Sequence, residues 1–271
     1  MRTWEETIAY IRTKEEYSDL VRDAYFEADL ELNFERFYTS PEYAETKKLI
    51  QNYLGRFSGK MLDLGAGNGI SSLAFATDGF EVVALEPDTS ETVGSGAIQK
   101  MKELKGLESL TVISKFAEEV DFEDGEFDIV YARQSMHHAN ELQNFIRQAA
   151  RVLKPGGILM TVRDHVIDEG QLQDFLDIHP LHKYYGGEHA YTLAEYQNAF
   201  ESNGLKVELK LKPYDSPINY APFTKEELIQ KSKKFTVGIK MPFLFPVFLK
   251  LLNWRTRHHP GRMYSFICRK S

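Results

Sequence analysis

The stretch "ARQSMHHAN", residues 132 to 140, sets two histidines side by side directly after the apolar run "FDIVY". Histidine titrates near neutral pH, so such a pair suggests a general base or metal ligands. Adjacent positions are poor spacing for two ligands on one ion, so no metal is expected at His137 and His138. Two other stretches carry titratable groups. "VRDHVID" holds Arg163, Asp164 and His165, and "HPLHKYYGGEHA" holds His179, His182, Tyr184, Tyr185 and His189.

A different chemistry is written in "LDLGAGNG", which joins Asp63 to Gly65, Gly67 and Gly69. Glycines at a strand-to-helix turn let backbone approach a ligand closely, and the helix start beyond them offers free N–H donors. The spacing is G-x-G-x-G and misses the G-x-G-x-x-G pyrophosphate fingerprint. Asp63 ahead of the glycines would repel a pyrophosphate and attract an ammonium or sulfonium. A second acid, Glu86, closes the run "FEVVALE", where a carboxylate can accept both hydroxyls of a ribose.

These groups need a scaffold, and the hydrophobic pattern supplies one. Short apolar runs "KMLDL", "FEVVALE", "SLTVIS", "FDIVYA" and "GILMTV" alternate with helical segments. One such segment, "NELQNFIRQAARVLKPGG", puts Leu142, Phe145, Ile146, Ala149 and Leu153 on one face before a Lys-Pro-Gly-Gly stop. Strands apolar throughout and separated by helices mean a parallel sheet covered on both faces, an α/β fold. Residues 4 to 25 read as one helix. Ser40 as cap, Pro41 at the first position and Gly55 at the end frame another. After "GILMTV" the rhythm breaks over residues 163 to 190. Thr192 and Glu195 then form a capping box, and Gly204 stops that helix. "LKVELKLK" and "RMYSFICRK" are the last two strands, separated by a long excursion of the functional or interactive kind.

In order along residues 58 to 162, "LDLGAGNG", "ALEPD", "AEEVDFEDGEFDIVYARQSMHHA" and "RVLKPGGIL" resemble the class I S-adenosylmethionine-dependent methyltransferases of the methyltransferase 11 type. The resemblance implies a Rossmann-like, seven-stranded, mostly parallel sheet in the order 3-2-1-4-5-7-6, the last strand antiparallel, with helices on both faces. N-terminal helices and insertions near the C-terminus add to it. The domains expected are a helical lid over 1–57 and a methyltransferase domain over 58–271, with an acceptor-pocket lid at 163–190 and a basic helical excursion at 214–261. The implied cofactor is S-adenosyl-L-methionine. Asp63 and the backbone of Gly65, Ala66, Gly67, Asn68 and Gly69 would hold its methionine part, and Glu86 with Pro87 beside it the ribose. Ala117 would meet the adenine edge through its backbone, and Ala132 and Arg133 would line the methionine part from the other side. Where the family often has Asp, this chain has Phe116, so adenine recognition would rest on stacking and backbone contacts.

Methyl transfer to an alcohol needs a base or a metal, whereas a neutral amine needs neither. His165, expected beyond the carboxyl end of strand five, is the leading catalytic candidate and His138 the secondary one. Tyr185 and His189 are candidate acceptor contacts, because hydrogen-bonding aromatics suit a polyhydroxylated or aromatic molecule. The function expected is O-methylation of a small molecule: a sugar, a nucleotide-linked sugar or a secondary metabolite. N-methylation of a small amine, an RNA or protein methyltransferase, and a non-catalytic cofactor-binding partner protein are the alternatives.

Charge and composition narrow the setting. Ten Lys or Arg and no Asp or Glu fall in residues 231–271, so with an overall charge of −7 the preceding 230 residues carry −17. The basic tail would meet the acidic body, an acceptor phosphate (through Lys233, Lys234, Arg255 and Arg257) or a membrane surface along 231–262. No nucleic-acid partner is expected from a net acidic chain without an RNA module. One cysteine, Cys268, excludes an internal disulfide framework or multi-cysteine zinc site and fits a reducing, cytoplasmic setting. No secretory signal opens the chain and no apolar run is long enough to span a bilayer.

Overall fold

The computed structural model describes residues 1–119, 121–139, 141–235 and 245–271. Its N-terminal segment is broken where one helix was expected. Thr3 and Glu6 form a capping box that starts α1 (Trp4–Arg12). Thr13 then turns its hydroxyl onto the Tyr10 carbonyl, a 3-10 turn follows, and α2 covers Ser18–Asp23. The sequence reading also lacked α3 (Leu30–Tyr38), which Asp29 caps by accepting from the Leu32 N–H. By contrast α4 (Pro41–Leu54) starts and stops as its residues dictate. Ser40 Oγ accepts from the Tyr43 N–H at 3.0 Å, and Gly55 closes it at φ +77°.

Eight strands form one sheet: β1 (Lys60–Leu64), β2 (Glu81–Leu85), β3 (Leu110–Ile113), β4 (Phe127–Arg133), β5 (Leu153–Ile167), β6 (Tyr191–Thr192), β7 (Leu205–Leu211) and β8 (Arg262–Lys270). Their order is β3-β2-β1-β4-β5-β8-β7, with the two-residue β6 paired parallel to β5. Setting β6 aside, this is the 3-2-1-4-5-7-6 arrangement, and β8 runs antiparallel to both neighbours. Helices α5 (Ile70–Thr77), α6 (Ser95–Lys105), α7 (Leu142–Val152) and α10 (Leu193–Ser202) pack with α3 and α4 on the two faces. Each face has its own apolar cluster, one around Leu62, Val130, Phe145 and Phe266, the other around Met61, Phe75, Tyr131 and Ile158.

Strand β5 differs from the sequence reading in a way that matters for the site. It does not end at Val162 but continues through His165 to Ile167, paired with β8. The register shifts between Thr161 and Asp164, where Arg163 sits at φ +62°. A bulge of this kind inserts a residue and re-aims the side chains after it. It is held from distant segments: the Arg163 N–H donates to Ser265 Oγ at 3.0 Å, and its guanidinium donates to the Ile218 and Ala221 carbonyls.

Beyond β5 come the short helices α8 (Leu172–Ile178) and α9 (His182–Tyr185). The excursion before β8 contains α11 (Pro217–Tyr220), α12 (Lys225–Phe235) and α13 (Phe245–Arg255). The Lys233 and Lys234 side chains and residues 236–244 lie outside the described residues, whereas Arg255 and Arg257 are exposed. Among the described residues no helix is long and apolar enough to cross a membrane.

Candidate active site

The turn after β1 is built by its glycines. Gly65 (φ +66°) and Gly67 (φ +57°) take left-handed conformations, and the Gly65 and Ala66 N–H groups both donate to the Leu85 carbonyl. The loop is thereby pinned to the end of β2. There the buried Glu86 accepts from the Gly67 N–H at 2.7 Å and the Asp88 N–H at 2.9 Å, one on each oxygen. Gly69 (φ +80°) starts α5 so close to α6 that a Cβ would lie 2.7 Å from Ile98. Asp63, 1% exposed, accepts from Ser72 Oγ at 2.6 Å, and burial pushes its carboxyl up to about 7. No protein cation bonds to it among the described residues, so a cationic ligand would complete its charge.

A cavity of about 320 Å³ opens over this turn. Asp63, Gly65, Ala66, Gly67 and Asn68 form its floor, with Arg133, His138 and His165 across from them. The glycine turn and the buried acids suit S-adenosylmethionine. At the position of a Gly67 Cβ there is open space within 4 Å, and both Glu86 oxygens keep further lone pairs. Trp4, Leu20, Ala24 and Phe26 close the cavity from the N-terminal segment, and His179, Pro180, Leu181 and Glu188 from the segment after β5. The two walls meet in one apolar cluster of Ile8, Ile11, Val21, Val93 and Leu181.

Of the other expected cofactor contacts, only Arg133 lines the cavity. Phe116 is 54% exposed and is not part of the cavity, because the loop after β3 turns its ring to solvent. Ala117 begins a 3-10 turn against the core, and the Ala132 side chain is fully buried in the sheet. Pro87 lines a shallow depression with Thr3, Glu5 and Asp88. Arg133 lines the cavity with its charge already matched, since its guanidinium donates twice to the buried Glu42, at 2.7 and 3.2 Å. Arg163, 3.9 Å from the same carboxylate, shares it. Nothing in the first turn of α4 marks Glu42 as the partner of two arginines from β4 and β5. Neither acceptor candidate joins the cavity. Tyr185 packs edge-on against Trp4 at 5.3 Å, and His189 packs on Tyr191 and faces a depression beside Asp168 and Arg262.

Four histidines do converge on the cavity: His137, His138, His165 and His179. His137 and His138 stand in a 3-10 turn (Met136–His138) with their rings 4.2 Å apart, and His165 is 4.7 Å from His137 and 5.6 Å from His179. Their partners set the tautomers. His138 Nδ1 lies 3.2 Å from the Gly187 carbonyl and His165 Nδ1 2.8 Å from the Gly261 carbonyl. A carbonyl can only accept, so each Nδ1 carries the proton and each Nε2 a lone pair. His137 Nδ1 lies 3.0 Å from Asp164 Oδ1, which also accepts the His137 backbone N–H. Burial lowers all four rings, His165 to about 4 and His179 to about 3, so all are neutral at pH 7. Burial pushes Glu188, 7% exposed, up to about 7. The sequence reading keeps the three histidine stretches apart and passes over Glu188, whose only local signal is the Gly186-Gly187 turn before it.

Residues 62–161 match the methyltransferase domain family. An uncharacterized methyltransferase of Bacillus subtilis (strain 168), YcgJ, is 28% identical over 205 residues, 71% of this chain and 76% of its own. The crystal structure of that protein superposes with a TM-score of 0.56 over 84% of this chain and 98% of its own, at 22% identity. The 27-O-demethylrifamycin SV methyltransferase of Amycolatopsis mediterranei (strain S699) is 32% identical over 108 residues, 38% of either chain. The sarcosine/dimethylglycine N-methyltransferase of Halorhodospira halochloris is 32% identical over 122 residues, 43% of either chain. These last two matches span less than half of the relatives' length. The family match over residues 62–161, the ordered motifs, the sheet order and the glycine turn together support a class I S-adenosylmethionine-dependent methyltransferase domain.

Proposed function

We propose that the chain methylates a hydroxyl oxygen of a small molecule held in the cavity beyond the glycine turn. The observation that carries this reading is the convergence of neutral imidazoles, with lone pairs free on His138 and His165, on the side of the cavity facing the cofactor floor. Bound S-adenosylmethionine supplies an electrophilic methyl group. Asp63 and the Gly65–Gly67 backbone at the floor, with Glu86 behind Gly67, would hold it. As the acceptor oxygen takes the methyl and the sulfonium–methyl bond breaks, the hydroxyl proton would pass to His165 Nε2, the lone pair left free by the Nδ1 contact with the Gly261 carbonyl. Closure by the N-terminal helices excludes water, which would otherwise compete for the same lone pairs. The rifamycin relative, named for a 27-O-demethyl compound, supports this reading.

The second reading is N-methylation, favoured by one observation: the buried Glu188 carboxylate could hold an ammonium, as the sarcosine/dimethylglycine relative suggests. A methyl-transfer screen over phenols, sugars, nucleotide-linked sugars and amines separates the two. Turnover of hydroxyl compounds is expected, with His165→Ala lowering kcat at least ~100-fold and leaving S-adenosylhomocysteine affinity unchanged. Turnover of amines alone overturns the proposal.

A further inference from the structure

We infer that His137, His138 and Glu188 form a binding site for one divalent transition-metal ion on the acceptor side of the cavity. Each brings a ligand atom to within 4.8 Å of the others. Adjacent histidines are unpromising in an extended chain, but the 3-10 turn at Met136–His138 brings both rings to one side, 4.2 Å apart and tilted by 39°.

The surroundings of the three groups are those of ligands. His137 is anchored through Nδ1 to Asp164 and His138 through Nδ1 to the Gly187 carbonyl, which leaves Nε2 on each as the free donor atom. Carboxylate and carbonyl partners of this kind fix the tautomer and orientation of metal-bound histidines. Glu188 is buried, yet no protein donor among the described residues bonds to its carboxylate. Its oxygens lie 3.9 Å from His138 Nε2 and 3.7 Å from His179 Nδ1, too far for hydrogen bonds. His179 Nδ1 is itself buried without a hydrogen-bond partner. Buried polar atoms in that state carry a cost that an ion removes. Two ligands on one tetrahedral ion, each at ~2.1 Å, stand about 3.4 Å apart. Drawing His138 and Glu188 together by ~0.5 Å brings that pair to ligand spacing, the His137 atom, within 4.8 Å of both, has to close by no more than ~1.4 Å, and His179 can then donate to the outer Glu188 oxygen.

Two nitrogens and one carboxylate suit Zn²⁺, Fe²⁺ or Mn²⁺ better than Mg²⁺ or Ca²⁺. The remaining positions open into the cavity. There the ion would take the acceptor oxygen and favour its deprotonated form, a role that rests on the hydroxyl reading above.

The test uses the full chain without cofactor or acceptor. Zn²⁺ binding is followed calorimetrically, and Co²⁺ serves as the optical probe. One Co²⁺ per chain, displaced by Zn²⁺, is expected. His138→Ala and Glu188→Gln should each weaken Zn²⁺ at least ~100-fold, and Asp164→Asn ~10–100-fold. His189→Ala, whose ring faces the other depression, should leave the affinity unchanged. Wild-type affinity weaker than ~100 µM, or equal affinity in wild type and both ligand variants, overturns the site. That failure leaves the hydroxyl reading standing if methyl transfer to hydroxyls persists. Tight metal binding by a protein that methylates only amines keeps the site and removes its assigned role.

Discussion

Gly65 ties the cofactor turn to the histidine turn, and a single methyl group should show it. A Cβ at Gly65 would sit 2.5 Å from Ser135 Cβ, on the segment between β4 and His137. At Gly67, also left-handed, the same atom would meet nothing within 4 Å. Both alanine substitutions carry a conformational cost of about 1 kcal/mol. Only Gly65→Ala must also displace a residue whose hydroxyl is fixed 2.7 Å from the Leu64 carbonyl, and such overpacking costs ~1–3 kcal/mol more. For a chain of this size 1 kcal/mol corresponds to roughly 2 °C in Tm. Gly67→Ala should therefore lower Tm by ~2 °C and Gly65→Ala by ~4–8 °C. In a Ser135→Gly background the clash disappears, so Gly65→Ala should cost only ~1 kcal/mol there, a coupling of ~1–3 kcal/mol. Urea unfolding of the four proteins without ligand measures the cycle, and S-adenosylhomocysteine titration reports whether the cradle moved. Equal costs for the two glycines, or an undiminished Gly65 penalty beside Ser135→Gly, would refute the reasoning.

Two further outcomes follow from buried charge. Glu42→Gln leaves Arg133 and Arg163 without their shared counter-charge, and unfolding free energy should fall by about 3–5 kcal/mol. A loss below ~1 kcal/mol would mean that the arginines find other partners. Asp63 titrates at about 7 in the folded chain against 3.8 unfolded, so the folded state binds the extra proton between those values. Stability should decline from roughly pH 4 to pH 7 by up to ~4 kcal/mol and level off above, and Asp63→Asn should remove that decline. Because a cationic ligand favours the ionised acid, cofactor affinity should rise with pH through about 7, with proton release visible in calorimetry in two buffers. A flat profile in wild type would refute the assignment.

What could be read from the sequence was what neighbours along the chain decide. The Ser40–Pro41–Gly55 frame of α4 and the glycine turn after β1 are set by residues a few positions apart, and the structure has both. The extension of β5 to Ile167 was hidden because the bulge at Arg163 depends on Ser265, Ile218 and Ala221, more than fifty residues away. The same holds for Glu42 and Glu188, ordinary acids locally, whose roles arise only when α4 meets β4 and when the Gly186–Gly187 turn meets the histidines. Phe116 failed in the opposite direction. Its type suggested stacking, but the path of the backbone after β3 decides where the ring points.

The aromatic clasp between the N-terminal segment and α9 bears on the rhythm of turnover. Tyr17 and Tyr184 join through their hydroxyls at 3.1 Å, Trp4 packs on Tyr185, and the Arg2 N–H donates to the Tyr184 carbonyl at 3.0 Å. The same helical segment touches Val93 beside the cofactor floor and Leu181 beside the acceptor wall. Were cofactor and acceptor both to pass this clasp, one shared set of contacts would break for each, and Tyr17→Phe with Trp4→Ala should then speed the release of both together; release of one alone would show separate routes.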